Sequence, residues 1–444
     1  MLAKAKDLQA LSVRTRRQQA VRLRPSLAGT EPKNLRPADI GWVLGALGKG
    51  AMPLLAGFED VGVAIMAPRS GKTTAYGVPL VLDAPGAVIA TSNKADLWAA
   101  TAALRAQDTG ERVWVFDPQG IAHAPRTWWW NPLAAVNSVE EAERLASHFV
   151  LTVEGKDGDI WGPAGASLLS TLIMAAKVSG GTLLDVYAWL NDDSDPTPGT
   201  LLRRHGHPLL AKEFEGTRTM AHETRASVYF TARTATKCLR NPQITSWVTP
   251  PLPGEDVEEI DTAAFPLSRQ TLYLLSKDGG GSAAPLVAAL TDRMMREGVQ
   301  AAELRGGRLD PPMMVLLDEA ANICRIGDLP SLYSHLGSRG VIPLTILQSY
   351  AQGVRVWGDT GMKALWGAAT VKVIGSGIDD ASFADDLSRL IGDHDVTVAS
   401  VSYSEGRSEG RRTRSRSPQQ RRILPASEIR ALPKGRVLVM TTGA

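Results

Sequence analysis

The sequence predicts an α/β protein with a mainly parallel central sheet, interrupted by an inserted all-α segment. Three observations carry that prediction. Short apolar runs that read as buried strands recur along the chain: "VGVAIMA" (61–67), "AVIATS", "RVWVFD", "QTLYLLS" (270–276), "PMMVLLDE" (312–319), "IPLTILQS" (342–349), "ATVKVIG" (369–375) and "GRVLVMTT" (435–442). Helical stretches separate several of them, the alternation that builds a parallel sheet with crossover helices. From residue 156 to 250 strand patterns disappear, and apolar residues recur at helical spacing, as in Leu168, Leu169, Leu172 and Ile173, then Leu183, Leu184 and Tyr187. The division that follows is a basic amino-terminal segment (1–38), a first part of the sheet domain (39–155), the helical insertion (156–250) and a second part of the sheet domain (251–444).

Taken in order, the chain opens with scattered charges and no apolar core stretch, which excludes a secretory signal. Five arginines between Arg14 and Arg24 fit either a juxtamembrane segment drawn to anionic lipid or a solvated, poorly ordered tail. The stretch "WVLGALGKGAMPLLAGF" (42–58) is interrupted by Lys49 and Pro53 and weakened by glycine, so it reads as a hairpin rather than a membrane span. Ile40, Trp42 and Leu44 alternate, "GKG" supplies the turn, and Met52 and Leu54 alternate on the return. "ADLWAATAALRAQ" is the crossover helix between the second and third strands, and Ser138 with Glu141 forms a capping box ahead of "AERLASHFV".

Composition sets the outer limits. A chain of 444 residues with 44% hydrophobic and 21% charged residues is folded, buries a large core and divides into more than one domain. A net charge of +3 is too small at this length to mark a nucleic-acid binder, so local clusters decide that question. Cys238 and Cys324 are far apart and lack metal-ligand spacing, which reads as two small buried residues in a reducing compartment.

The chemistry concentrates in "MAPRSGKTT" (66–74), set between a strand and a helical stretch. A phosphate cradle needs backbone N–H groups aimed inward by a glycine turn, a helix amino terminus, a lysine for the β- and γ-phosphates and a hydroxyl for Mg²⁺. Pro68, Arg69, Ser70, Gly71, Lys72, Thr73 and Thr74 supply the loop, with Lys72 as the charge and Thr73 as the metal hydroxyl. Met66 stands where the G-x-x-x-x-G-K-[ST] pattern has its first glycine, which bears on the geometry of the loop and not on its chemistry. Pro79 falls past the first turn of the following helix and is expected to kink it. An ordinary strand-to-helix turn with an exposed lysine is the competing reading.

"MMVLLDEA" weighs against that competitor. Five apolar residues deliver Asp318 and Glu319 to a strand's carboxyl end, the edge at which parallel sheets bind ligands. There Asp318 reaches the metal and Glu319 the water that attacks a γ-phosphate. Gln348, after the next strand, either senses the γ-phosphate and orients the water or simply caps the strand. Arg339, before Gly340, is either a finger acting on a neighbouring subunit's nucleotide or a cation complementing a helix carboxyl terminus.

These stretches, with "FDPQG", "WWWNPL", "DIWGPAGASLL", the block "LLDEAANICRIGDLPSLYSHLGSRGVIPLTILQSYAQ", "ATVKVIG" and "LPASEIRALPKGRVLVM", resemble the type IV secretion coupling proteins, the conjugative DNA-transfer ATPases of the TraG/TraD type, and in particular their actinobacterial branch. The resemblance spans most of the chain from residue 61 onward, in the family's order. It implies a RecA-like P-loop NTPase domain with an inserted all-α domain, commonly a hexameric ring, working with ATP and Mg²⁺ at the cytoplasmic face of the membrane. It further implies Lys72 and Thr73 as the Walker A pair, Asp318 and Glu319 as the Walker B pair, and Gln348 as the glutamine of the next motif. The implied partners are DNA carrying a relaxase, or a secreted protein, and the components of a secretion channel. Family members usually begin with transmembrane helices, which this sequence does not contain: either it is a soluble portion or its anchor comes from a partner.

Two features stay outside those motifs. "GRSEGRRTRSRSPQQRR" (406–422), with seven arginines interleaved mostly with serine, is expected to be a flexible loop, either solvated or set against DNA phosphates. The adjacent Trp128, Trp129 and Trp130 cannot all enter one core, so at least one is expected at a domain or subunit boundary. Three functions fit the whole reading: an ATP-hydrolysing coupling motor, an intracellular DNA-pumping translocase of the same superfamily, and a receptor that binds nucleotide without turning it over.

Overall fold

The computed structural model describes residues 5–47, 52–153, 161–403 and 412–442. Fourteen strands occur among them: β1 (Trp42–Leu47), β2 (Met52–Ala56), β3 (Gly62–Ile65), β4 (Val88–Ser92), β5 (Val113–Phe116), β6 (Trp128–Trp129), β7 (Glu258–Glu259), β8 (Thr271–Leu275), β9 (Met313–Leu317), β10 (Val341–Leu347), β11 (Val371–Ile374), β12 (Asp393–Tyr403), β13 (Arg412–Arg422) and β14 (Leu438–Thr441). Eight of them form the central sheet in the order β14-β11-β3-β10-β9-β4-β8-β5. All neighbours in it are parallel except the edge pair β11 and β14. Each apolar run that reads as a buried strand contributes one of the eight. The residues of β3, β4, β8, β9, β10 and β11 are all buried, because crossover helices cover both faces.

Register sets up the edge where chemistry collects. Leu347 lies level with Ile65, and Thr345 with Leu317, so β3, β10 and β9 end side by side. The crossover helix Asp96–Thr109 stops at Gly110, whose φ of 67° takes the left-handed turn a glycine makes without strain. That helix also carries Arg105, fully buried, which donates to the carbonyls of Ala84 at 2.7 Å and Gly86 at 2.5 Å and to Thr271 Oγ1 at 3.1 Å. Burial lowers its pKa to about 10, and the three acceptors satisfy the guanidinium.

Between β6 and β7 the regular structure is helical, from Val139–Val150 through Trp161–Ser179 to Pro242–Thr245. Leu168, Leu169, Leu172 and Ile173 form its core side, and Thr182 with Asp185 makes a reciprocal capping box for Leu183–Asn191. Ser138 accepts the Glu141 N–H at 3.3 Å as its spacing predicts, but the Glu141 carboxylate reaches back to the Asn137 N–H, at 2.6 Å, one residue earlier than a standard box.

Trp128, Trp129 and Trp130 are all buried, but only Trp128 and Trp130 join the main core cluster, and Trp128 packs edge-on to Trp114 at 5.7 Å and Trp247 at 5.5 Å, where the sheet meets the helical part, the boundary position expected of at least one of them. Two expectations need correction. The amino-terminal arginines are not a loose tail, because Val13–Leu23 is a helix docked on the β1–β2 hairpin. Arg16 donates to the Leu55 carbonyl at 3.1 Å and pairs with Asp60 at 3.0 Å, Arg17 donates to the Leu35 carbonyl, and Arg24 pairs with Asp310 at 3.2 Å. Finally, residues 412–422 are not a loop: they are β13, paired antiparallel with β12 over eleven registered positions. Arginine alternating with serine and threonine is a period-two pattern, which a strand accommodates. Residues 406–411 of that tract, and the "GKG" turn of the β1–β2 hairpin, lie outside the described residues. Cys238 and Cys324 are free and buried, as expected, and burial pushes both thiols up to about 12.

Candidate nucleotide site

The loop after β3 begins with Met66, whose N–H donates to the Leu347 carbonyl at 2.9 Å. The side chain is buried, and the room for it comes from β11: a Cβ on Gly375 would stand 2.7 Å from Met66 Cγ. A glycine is thus still required for close approach, but on the neighbouring strand's end. The turn is made by Arg69 (φ 61°) and Gly71 (φ 92°), both in the left-handed region. Behind it, Thr73–Gly77 forms a wide turn in which the Val78 N–H reaches back five residues to the Thr73 carbonyl. That widening is how the helix admits Pro79, which has no N–H to donate and whose ring would crowd a tighter turn.

Asp318 and Glu319 follow β9 and are both buried. Glu319 adopts φ 57° and ψ 34°, a costly conformation for a residue with a side chain. Its carboxylate accepts hydrogen bonds from Lys72 Nζ, from Gln348 Nε2 at 2.7 Å and from Asn322 Nδ2 at 3.2 Å. Lys72 Nζ also lies 3.2 Å from Asp318 Oδ1, and Gln348 is held in turn by Gln352, whose Oε1 accepts its N–H at 2.9 Å. Four side chains from three adjacent strand ends therefore meet at one point of the carboxyl edge.

The electrostatics follow from burial and pairing. Burial alone pulls the Lys72 pKa down, but Asp318 and Glu319 outweigh it and hold the ammonium above the ordinary lysine range. Burial pushes the Asp318 carboxyl up, with Lys72 opposing and Glu319 adding to the shift. Oxygen donors suited to Mg²⁺ are at hand in the Thr73 hydroxyl and Asp318. Among the described residues the Thr73 hydroxyl makes no hydrogen bond, and the buried Ser70 Oγ has no partner, so the loop presents polar groups that its own chain leaves unsatisfied. Pro68, Arg69 and Thr74 stand exposed at the mouth of the loop.

Arg339 is not brought to this point. It precedes β10, at the opposite sheet edge, about 23 Å away by strand rise. There it pairs with Glu303 at 3.3 Å. Sequence reasoning missed three contributors: Asn322, one helical turn past Glu319; Gly375; and Lys434, whose Cε lies 4.0 Å from where a Cβ on Gly71 would stand. Asn322 alone carried a local signal, its spacing from Glu319.

Residues 312–434 match the family described as the TraM recognition site of TraD and TraG. No curated protein sequence matches the chain. Among solved structures, the unbound bacterial conjugative coupling protein TrwBΔN70 aligns with 91% of this chain and 86% of its own, at a TM-score of 0.64 and 16% identity. The plasmid coupling protein TrwB with a non-hydrolysable ATP analogue aligns over 91% of each chain (TM-score 0.62, 13% identity). TrwB with ADP and Mg²⁺ aligns over 90% and 86% (TM-score 0.61, 15% identity). By its fold, a mainly parallel sheet with a helical part matching that of the coupling protein TrwB, and by the sequence pattern of residues 312–434, the resemblance to conjugative coupling proteins is borne out.

Proposed function

We propose that this chain is an ATP-hydrolysing coupling motor that recruits relaxase-bound DNA or protein substrates and passes them to a type IV secretion channel at the cytoplasmic face of the membrane. Among the described residues no helix is long and apolar enough to cross a membrane, so attachment there would come through a partner or through sequence other than these helices. The observation that carries the reading is the convergence of Lys72, Asp318, Glu319 and Gln348 at the ends of three neighbouring strands.

In this reading the backbone turn at Gly71 and the Lys72 ammonium grip the β- and γ-phosphates of ATP. As the ammonium turns toward phosphate, Glu319 is freed to accept a proton from the attacking water, and the Gln348 amide holds that water in line. Thr73 and Asp318 are the residues that would hold Mg²⁺, whose chemistry is to neutralise charge developing on the phosphate oxygens. Arg339, half-buried at the far sheet edge and paired with Glu303, is too far from its own chain's cluster to act there, and in a ring of copies it would act on a neighbour's nucleotide.

The test is ATP turnover by purified protein, with and without single- and double-stranded DNA at two salt concentrations. Turnover that Lys72→Ala abolishes supports the motor; tight ATP binding with no turnover under any of these conditions supports the receptor instead. Met66, the loop's departure from the G-x-x-x-x-G-K-[ST] pattern, is accommodated by Gly375 and so does not favour the receptor.

A further inference from the structure

The β12–β13 ribbon stands apart from the other sheets. Its eleven pairs make an arm about 36 Å long, and a two-stranded ribbon without further packing is only marginally stable in water. β13 carries Arg412, Arg414, Arg416, Arg421 and Arg422 and no acid. Opposite it, near the arm's root, β12 carries two acids, Asp393, 3.1 Å from Arg422, and Asp395.

Beside that root lies a groove of about 400 Å³ between the helices Tyr350–Ala368 and Ala381–Ile391. Its floor is aromatic: Tyr350 stacks on Phe383 at 4.9 Å, and Trp366 meets both edge-on, at 6.2 and 5.6 Å. Leu390 at its end is 64% exposed. Its rim is acidic, with Asp359, Asp380 and Asp386 against Lys363, itself paired with Asp359. Asp386 and nearby Asp379 have no ion-pair partner among the described residues.

We propose that this groove receives the arginine-bearing arm of a second copy of the chain. Guanidinium groups stack on aromatic faces and pair with carboxylates, and the groove offers both. Geometry excludes the chain's own arm. Arg416 and Arg412 are six and ten pairs out from the root pair Asp393–Arg422, about 20 and 33 Å away, and a registered ribbon cannot fold back onto its own base. The contact also has a route to the nucleotide site, because the helix bearing Tyr350 starts two residues after Gln348. The inference does not depend on ATP turnover.

The experiment is sedimentation velocity of the full chain over a range of concentrations, with charge-reversed variants. Asp379→Lys with Asp386→Lys, or Arg412→Glu with Arg414→Glu and Arg416→Glu, should each weaken self-association roughly tenfold or more. Mixing the two variants should restore it, since one chain's lysine rim then meets the other's glutamate arm; recovery also shows that both variants fold. A mixture that stays dissociated overturns the proposal. So does an arm variant that associates like wild type while losing affinity for a DNA oligonucleotide, which would assign the arm to nucleic acid. As a direct check, Arg416→Cys in one chain and Leu390→Cys in another should cross-link between chains with a bismaleimide. Cross-linking only within a chain carrying both substitutions would equally overturn it.

Discussion

At the carboxyl edge of β3, β10 and β9, the lysine, both acids and the glutamine find partners within the chain, whereas β13 carries five arginines against the two acids of β12, of which Asp393 pairs with Arg422. The first cluster is buried and held by packed strands; the described positions of the second, at the arm's root, are mostly exposed. The difference teaches what each is suited to. In the proposed reading, a buried cluster of one cation and two acids exchanges one partner for a small polyanion, while an exposed, basic strand meets a large surface of opposite charge.

The largest expected effect breaks the first cluster. Lys72→Ala removes the cation between two buried acids, and ATP turnover should fall at least about a hundredfold, measured by phosphate release. Glu319→Gln should reduce turnover comparably while ATP binding, followed by equilibrium titration, is retained, because the amide cannot accept the proton. Next in size is the Met66 and Gly375 pair. Gly375→Ala should destabilise the fold by about 1–3 kcal/mol in denaturant unfolding through overpacking, and adding Met66→Gly should recover most of that loss. If the two substitutions are simply additive, the explanation of the loop's first position fails.

A smaller effect concerns pH. The folded-state pKa of Asp318 is raised, so between its unfolded and folded values the native state holds more protons than the unfolded one, and stability falls as pH rises through that window. Above it the cost is constant. Asp318→Asn lacks the penalty, so its advantage in melting temperature over wild type should be present at neutral pH and shrink on acidification below the folded value. The smallest effect sharpens the contrast. Shortening the arm with a glycine link across residues 396–419 should change ATP affinity of dilute protein by less than about twofold, because no described side chain of the arm lies in its own chain's cluster.

The eight strands of the central sheet were legible because strands covered on both faces must be apolar throughout, and few other segments of that length are. Lys72, Thr73, Asp318, Glu319 and Gln348 were legible as positions because strand ends deliver them to one edge. The β12–β13 ribbon was not: its strands are polar, and their pairing is set by register with each other and not by an apolar face. Nor were the docked arginines, since Arg16, Arg17 and Arg24 bond largely to carbonyl oxygens, which no residue pattern announces. The left-handed backbone of Glu319 had no signal either, because position 319 carries a side chain where that conformation usually takes glycine.

Gly375 leaves a lesson about how such loops are recognised. The space a phosphate-gripping turn needs at its first residue can be surrendered by a different strand, several hundred positions along the chain. A scan for glycine spacing alone would pass over this ATPase candidate, whereas a bulky first residue matched by a missing side chain on the adjoining strand would find it and others built the same way.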